Sequence, residues 1–315
     1  MDIWDELPAP FFVLAPMDDV TDTVFRQVIA ACAPPDLFFT EFVNVDALQS
    51  QGREATLKRL KFTDTERPII AQVWGLNPEN FRKSAADIAA MGYDGLDLNF
   101  GCPEKNVVKN GACSALIRPE NRERALEIIQ ACREGAPALP LSVKTRLGFS
   151  EVDLSWHELL LGQKLNALTI HGRTRKQMSK VPADWDVIGR IAEMRTSLSP
   201  ATKIVGNGDV LTRQQGEELA QKHGVDGIMV GRGIFHDPFL FAPNSPWGSM
   251  SKEQKTALYA KHVKLFADTW QQNERKIHTL NKFCKIYING FDGAKELREK
   301  LMAANSTDEL LEQLV

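Results

Sequence analysis

A chain of 315 residues, 43% hydrophobic and 25% charged, has room for one large folded domain and one small one, and its composition excludes intrinsic disorder. A formal net charge of −3 excludes a global polyelectrolyte. No apolar run approaches the roughly 20 residues that a membrane span needs, and the acidic, proline-bearing start MDIWDELPAP is wrong for a signal peptide, so a cytoplasmic protein with no membrane partner is expected.

From the N-terminus, short apolar runs of strand length alternate with longer segments of helical period. The runs are Phe12 to Ala15, Leu37 to Thr40, Ile69 to Val73, Gly95 to Asn99, Leu141 to Thr145, Ala167 to His171, Lys203 to Gly206 and Gly227 to Val230. Helices are predicted over Thr21 to Ala31, Pro78 to Met91, Pro119 to Cys132, Asp153 to Lys164, Asp184 to Met194 and Thr212 to Lys222, where apolar residues recur at three- and four-residue spacing. Strand-helix alternation implies parallel strands, and the count of eight favours a closed (β/α)8 TIM barrel over an open sheet.

The pattern changes after Phe235. Pro238 to Gly248, PFLFAPNSPWG, reads as a linker, and the segments beyond it are helical: Ser251 to about Asn273, Arg275 to Ile288, Lys295 to Ala303 and Thr307 to Leu314. The expected division is a barrel over residues 1–240 and a small all-helical domain over residues 246–315. Residues 246–300 carry eleven Lys and Arg against six Asp and Glu. These cations have Tyr259, Trp270, Phe283 and Tyr287 among them, a mixture that suits an RNA surface and equally a solvated helical face over buried aromatics.

The stretch GLDLNFGCPEKNVVKNG at Gly95 ends a strand with Asn99 and Cys102, at the end of a barrel strand where catalytic groups collect. A buried thiol acting as a small hydrophobe is the competing reading of Cys102. The five cysteines, Cys32, Cys102, Cys113, Cys132 and Cys284, are odd in number and never form a C-x-x-C pair, so neither a disulfide framework nor a metal site is expected. Other strand ends carry Pro16, Met17 and Asp18, Glu41, Lys144 and Arg146, His171 and Arg173, Asn207, Gly208 and Asp209, and Gly231 and Arg232, while Gln72 sits inside the third strand. Polar groups in apolar strands cost free energy unless satisfied, so their gathering at one rim points to a ligand.

The turns GNGD and GRG after strands seven and eight stand where barrels bind phosphate, with Arg232 as a matching cation. Neither completes G-x-G-x-x-G, because Leu211 and His236 occupy the last position, which disfavours a dinucleotide fold and leaves flavin mononucleotide or a sugar phosphate. Gln72, Asn99 and Lys144 are then candidates for contact with a flavin ring.

LAPMDDVTD at Leu14, DLNFGCPEKNVVKNGACSAL at Asp97, SVKTRLG at Ser142, HGRTR at His171, GNGD at Gly206, VGRG at Val230 and KIYINGFDGAKELREKL at Lys285 together resemble the bacterial tRNA-dihydrouridine synthases over almost the whole chain. The resemblance implies an FMN-containing barrel that reduces the C5–C6 double bond of a uridine in tRNA with NADPH, and a helical domain for RNA. It implies that Cys102 is the proton donor, that Pro16, Met17, Asp18, Gln72, Lys144, His171, Asn207, Gly208, Asp209, Gly231 and Arg232 fall at flavin-binding positions, and that Asn99 faces the uracil. Arg173, Lys282 and Lys285 are added as substrate contacts, and a monomer is expected. At the reference pKa of about 8.5 the thiol of Cys102 would be mostly protonated at neutral pH. Cys113 departs from the pattern, since glycine or another small residue is expected there. The competing enzyme readings are a flavin barrel acting on a free pyrimidine or an enone, and a non-redox barrel with Lys144 as a Schiff-base former.

Overall fold

The computed structural model describes residues 2–271 and 274–314. Its frame is eight parallel strands: β1 (Phe11–Leu14), β2 (Phe38–Phe39), β3 (Ile69–Trp74), β4 (Gly95–Asn99), β5 (Leu141–Arg146), β6 (Ala167–His171), β7 (Lys203–Asn207) and β8 (Gly227–Val230). They pair in the order β1-β8-β7-β6-β5-β4-β3-β2, and a two-residue segment, Val43–Asn44, continues beside β3. Closure rests on a bridge between Val13 and Leu37, with the Leu14 amide donating to the Leu37 carbonyl at 3.3 Å. The Asp36 carboxylate adds a bond by accepting from the Phe12 amide at 2.7 Å.

The outer helices are α1 (Thr23–Cys32), α2 (Pro78–Ala90), α3 (Arg122–Gly135), α4 (Leu154–Leu161), α5 (Trp185–Leu198) and α6 (Arg213–His223). Asp22, Asn77, Asp153, Asp184 and Thr212 cap five of them, each side chain accepting from an amide in the first turn. The third starts later than its sequence suggests because Pro119–Asn121 forms a separate 3-10 turn. One end of the barrel is stoppered by the short helix Ile3–Glu6, whose Trp4 is buried against Phe11 at 5.8 Å. The start of the chain therefore supplies part of the barrel interior, joined there by Val13, Phe39, Ile70, Val205 and Met229.

The C-terminal helices are α7 (Lys252–Thr269), α8 (Ile277–Asn281), α9 (Cys284–Tyr287), α10 (Ala294–Ala303) and α11 (Thr307–Glu312). A capping box between Ser251 and Gln254 starts α7. Its expected end near Asn273 falls outside the described residues. The single helix expected from Arg275 to Ile288 is broken in two, because Asn281 turns inward and donates to the Ala304 carbonyl at 2.8 Å. The segment expected to be a linker is packed, with Leu240, Phe241 and Trp247 buried. A continuous apolar core joins these helices to the barrel, and Phe283 stacks on Phe25 of α1 at 5.1 Å. The four aromatics among the basic residues, Tyr259, Trp270, Phe283 and Tyr287, all belong to that core, so none is presented for stacking on RNA bases.

Beside α1 lies a buried ion pair. Arg26 Nε meets Glu66 Oε2 at 2.5 Å with both side chains fully buried, and its other nitrogens donate to the carbonyls of Thr21 and Lys61 at 2.6 and 2.7 Å. The Thr23 hydroxyl donates to the remaining Glu66 oxygen at 2.6 Å. Removing one partner of such a pair strands a buried charge. Glu66→Ala is therefore expected to lower stability by about 3–5 kcal/mol in urea unfolding, while Asp64→Ala, at a carboxylate 97% exposed, stays within about 0.5 kcal/mol.

Candidate active site

The C-terminal ends of the strands surround a cavity of about 520 Å³, within the range of small-molecule sites. Pro16 and Met17 after β1, Lys144 and Arg146 of β5, and His171 and Arg173 at the end of β6 line it. Asn207, Gly208 and Asp209 after β7 and Gly231, Arg232 and Gly233 after β8 complete it. Gly208 has φ of +138°, and a Cβ there would lie 2.6 Å from Ala183; a Cβ on Gly233 would lie 2.1 Å from the Val210 carbonyl oxygen. Both turns therefore bring bare backbone to the cavity wall. Among the described residues Arg232 has no ion-pair or hydrogen-bond partner, so an exposed cation is available beside these glycines.

The other cations of the cavity are already engaged. Lys144 Nζ donates to Asn207 Oδ1 at 3.2 Å, and Asn207 Nδ2 donates to the Met229 carbonyl at 2.7 Å. Burial, helped by the charge of Arg146, pushes the Lys144 ammonium down to about 8, so it remains mostly protonated at neutral pH. Arg173 is buried, paired with Asp209 at 2.5 Å and bonded to the Val181 carbonyl at 2.6 Å. Its Nη1 lies 3.2 Å from His171 Nε2. A guanidinium only donates, so Nε2 accepts and the ring proton sits on Nδ1. Burial and the surrounding cations hold His171 far below its usual range, which keeps it neutral.

Beside Lys144 in the sheet, a polar chain runs through the barrel interior. Asp97 accepts from Ser142 Oγ at 2.6 Å and from Gln72 Nε2 at 2.7 Å, and Gln72 Oε1 accepts from Asn99 Nδ2 at 3.0 Å. Asn99 Oδ1 then accepts the amides of Gly101 and Cys102 at 3.1 and 2.9 Å. Both lone pairs of that oxygen are used, leaving Asn99 one free amide hydrogen; Gln72 keeps one hydrogen and one lone pair. Burial pushes the Asp97 carboxyl up to about 6, against the pull of Ser142, Gln72 and Lys144. Asp97 and Ser142 were not singled out from sequence, although Asp97 shares the inward alternation of Asn99.

Cys102 is half-buried, next to the cavity-lining Pro103. The neighbouring Cys113 thiol, opposed by burial and aided by the Glu104 amide and Arg146, brings its thiol down to about 7. This corrects the expectation of an ordinary, mostly protonated thiol: the second cysteine selectively stabilises the thiolate. Arg146, counted among the rim residues from sequence, fixes the loop by donating to the Gly101 carbonyl at 2.6 Å and to the Thr174 and Met178 carbonyls at 3.4 and 3.3 Å.

The remaining expected site residues lie elsewhere. Asp18 does not line the cavity; it pairs with Arg59 in a carboxylate cluster with Asp19 and Glu41. Arg59 and Arg275 compensate that cluster, Arg275 reaching buried Glu41 through two bonds of 2.9 Å. Lys282 and Lys285 are exposed on α8 and α9 or at their junction, and Lys282 Nζ donates to the Asp19 carbonyl at 2.6 Å, tying the helical region to the barrel rim.

Residues 13–315 match the family model described as dihydrouridine synthase (Dus). The chain is 47% identical over 315 residues to a Staphylococcus epidermidis protein named "Probable tRNA-dihydrouridine synthase", covering 99% of this chain and 94% of that one. It is 48% identical over 312 residues to a Bacillus subtilis protein named "Probable tRNA-dihydrouridine synthase 2", covering 98% and 94%. Among solved structures, morphinone reductase in complex with tetrahydroNAD superposes with a TM-score of 0.53 at 12% identity over 75% of this chain and 88% of that one, a likeness of fold alone. A match of this length and identity, together with the barrel and its rim, shows that the chain belongs to the dihydrouridine synthase family.

Proposed function

We propose that the rim cavity holds FMN and that the chain reduces the C5–C6 double bond of a tRNA uridine with NADPH, Cys102 giving the proton to carbon 5. As a tRNA-dihydrouridine synthase it is a flavin-dependent reductase of tRNA uridines. The observation that carries the finer reading is a cavity combining bare glycine backbone, an uncommitted Arg232 and a protonated Lys144 beside a loop thiol. Arg232 and the turns at Gly208, Gly231 and Gly233 suit a phosphate, and the absence of a completed dinucleotide fingerprint favours FMN over FAD. NADPH is inferred from the motif set DLNFGCP, HGRTR and GNGD.

Bound flavin supplies the hydride that reaches carbon 6 of the uracil. The protein's part is orientation and proton delivery. Gln72, Lys144 and neutral His171 would offer an amide edge, a cation and an N–H to the flavin ring, and Pro16, Met17 and Asn207 would line its pocket. Asn99 can only donate, so its free amide hydrogen suits a uracil carbonyl, where negative charge builds as the ring is reduced. Cys102, tied to Asn99 through its own amide, would give its thiol proton to carbon 5.

We assign tRNA binding to residues 246–315, with Lys285 and the exposed Lys261, Lys264 and Lys276 meeting phosphates. Arg173 and Asp18 hold loops of the site through their pairs with Asp209 and Arg59. A tRNA substrate supports a cytoplasmic location. Val152, Leu198 and Met302, large apolar side chains that are exposed, come from separate segments, which supports a monomer.

Cys102→Ala is expected to retain its flavin and to be reduced by NADPH at a near-normal rate, while reoxidation by tRNA slows by about 10²- to 10⁴-fold in single turnover. A normal rate of reoxidation would remove Cys102 from the reaction. The acid form of a thiol titrating at about 7 is lost as pH rises through that value. Transfer to tRNA should therefore decline above pH ~7, and Cys113→Ala, which removes the donor that favours the thiolate, should move the decline to higher pH. Lys285→Glu should weaken tRNA binding and flatten its salt dependence while flavin content is unchanged; an unaltered affinity at fixed salt would place the RNA surface elsewhere.

A further inference from the structure

Cys113 is an unfavourable residue for its position. Its φ of +52° is a left-handed conformation that glycine adopts freely and a β-carbon disfavours, and its side chain is almost wholly buried. The turn is held against the catalytic loop at that point: the Ser114 amide and hydroxyl both donate to the Cys102 carbonyl, at 3.4 and 2.8 Å. These bonds set Cys113 against Cys102, and the neighbouring Cys113 thiol favours the Cys102 thiolate. The two cysteines thus differ in the manner of an attacking and a resolving thiol. Cys102 is half-buried beside the cavity and has the lowered thiolate threshold, whereas Cys113 is sequestered behind it.

We propose that Cys102 and Cys113 form a reversible disulfide when the protein meets a peroxide, so that the site thiol is held in a recoverable state. In the first step the Cys102 thiolate attacks one oxygen of hydrogen peroxide, the O–O bond breaks, and the other oxygen leaves as water after protonation. Cys102 is then a sulfenic acid. The Cys113 sulfur attacks that of Cys102, the S–S bond forms, the S–O bond breaks, and a second water leaves with the Cys113 proton. Two thiols lose two electrons and two protons, and one peroxide becomes two waters. Cys102 lies in an irregular loop just past β4 that Ser114 ties to the turn carrying Cys113, so the sulfurs can close to the roughly 2.05 Å of a disulfide without disturbing the sheet. Without a resolving thiol the sulfenic acid would pass on to the sulfinic acid, which thiol reductants do not restore.

The chemistry stands on the two sulfurs and does not rest on the assignment of tRNA as substrate. The test uses the full-length flavin-bearing protein, freshly reduced, treated with hydrogen peroxide, alkylated and digested with trypsin. Cleavage after Lys105 and Lys109 separates the cysteines, so the disulfide would join residues 84–105 to residues 110–122. The expected result is that linked pair, a fall of two from the five free thiols, and restoration of both by dithiothreitol. In Cys113→Ser the same peroxide dose should leave Cys102 as a sulfenic acid that dimedone traps, and then as a sulfinic acid that dithiothreitol does not reverse. Absence of the linked peptides in the unmodified protein, with Cys102 oxidised past the sulfenic stage as in Cys113→Ser, would overturn the proposal. So would a linkage of Cys102 to Cys32, Cys132 or Cys284.

Discussion

Parallel strands that close on themselves must all finish on one rim, and every feature of this site depends on that constraint. Between β1 and β8 the chain returns to the same edge eight times, each time depositing a short loop. The interior is thereby divided by depth. At the N-terminal end, Trp4, Phe11 and their neighbours exclude water with an apolar stopper, and at the other end the strands finish in carboxamides, cations and a thiol. Polar atoms at such depth are tolerable only when satisfied, which explains why so many of them bond to one another.

Asp97 is the clearest case of this satisfaction. A carboxylate wholly buried in a barrel is held by Ser142 and Gln72. Gln72 fixes the amide of Asn99, and Asn99 accepts the amide that leads into the Cys102 loop. Each amide is oriented by the next, so the free donor of Asn99 has a single direction of use. Residues that never touch a ligand thus determine how those that do are presented.

The helical region is joined to the same rim by polar as well as apolar contacts. Phe283 stacks on Phe25, but Arg275 reaches Glu41 and Lys282 reaches the Asp19 carbonyl, both beside the turn after Met17. The helices α8 and α9 are therefore held in register with the cavity. Two of the basic residues counted toward RNA, Arg275 and Lys282, are committed to this junction.

The barrel, its strand ends and the two glycine turns were legible in the sequence because they depend on local periodicity and on residue types that tolerate only a few backbone shapes. The motifs around Asn99, Cys102, Lys144, His171 and Arg232 were legible for the same reason. What each side chain does there was not. Whether Arg173 is free or paired with Asp209, whether Asp18 faces the cavity or Arg59, and whether Tyr259 and Tyr287 are exposed or buried are settled by partners tens to hundreds of residues away. The same holds for the thiols: ten residues separate Cys102 from Cys113 in the chain, and only the folded loop, with Ser114 bonded to the Cys102 carbonyl, brings one sulfur to bear on the other. Periodicity determines which face a residue occupies, and tertiary structure decides the charge and hydrogen-bond partner it meets there.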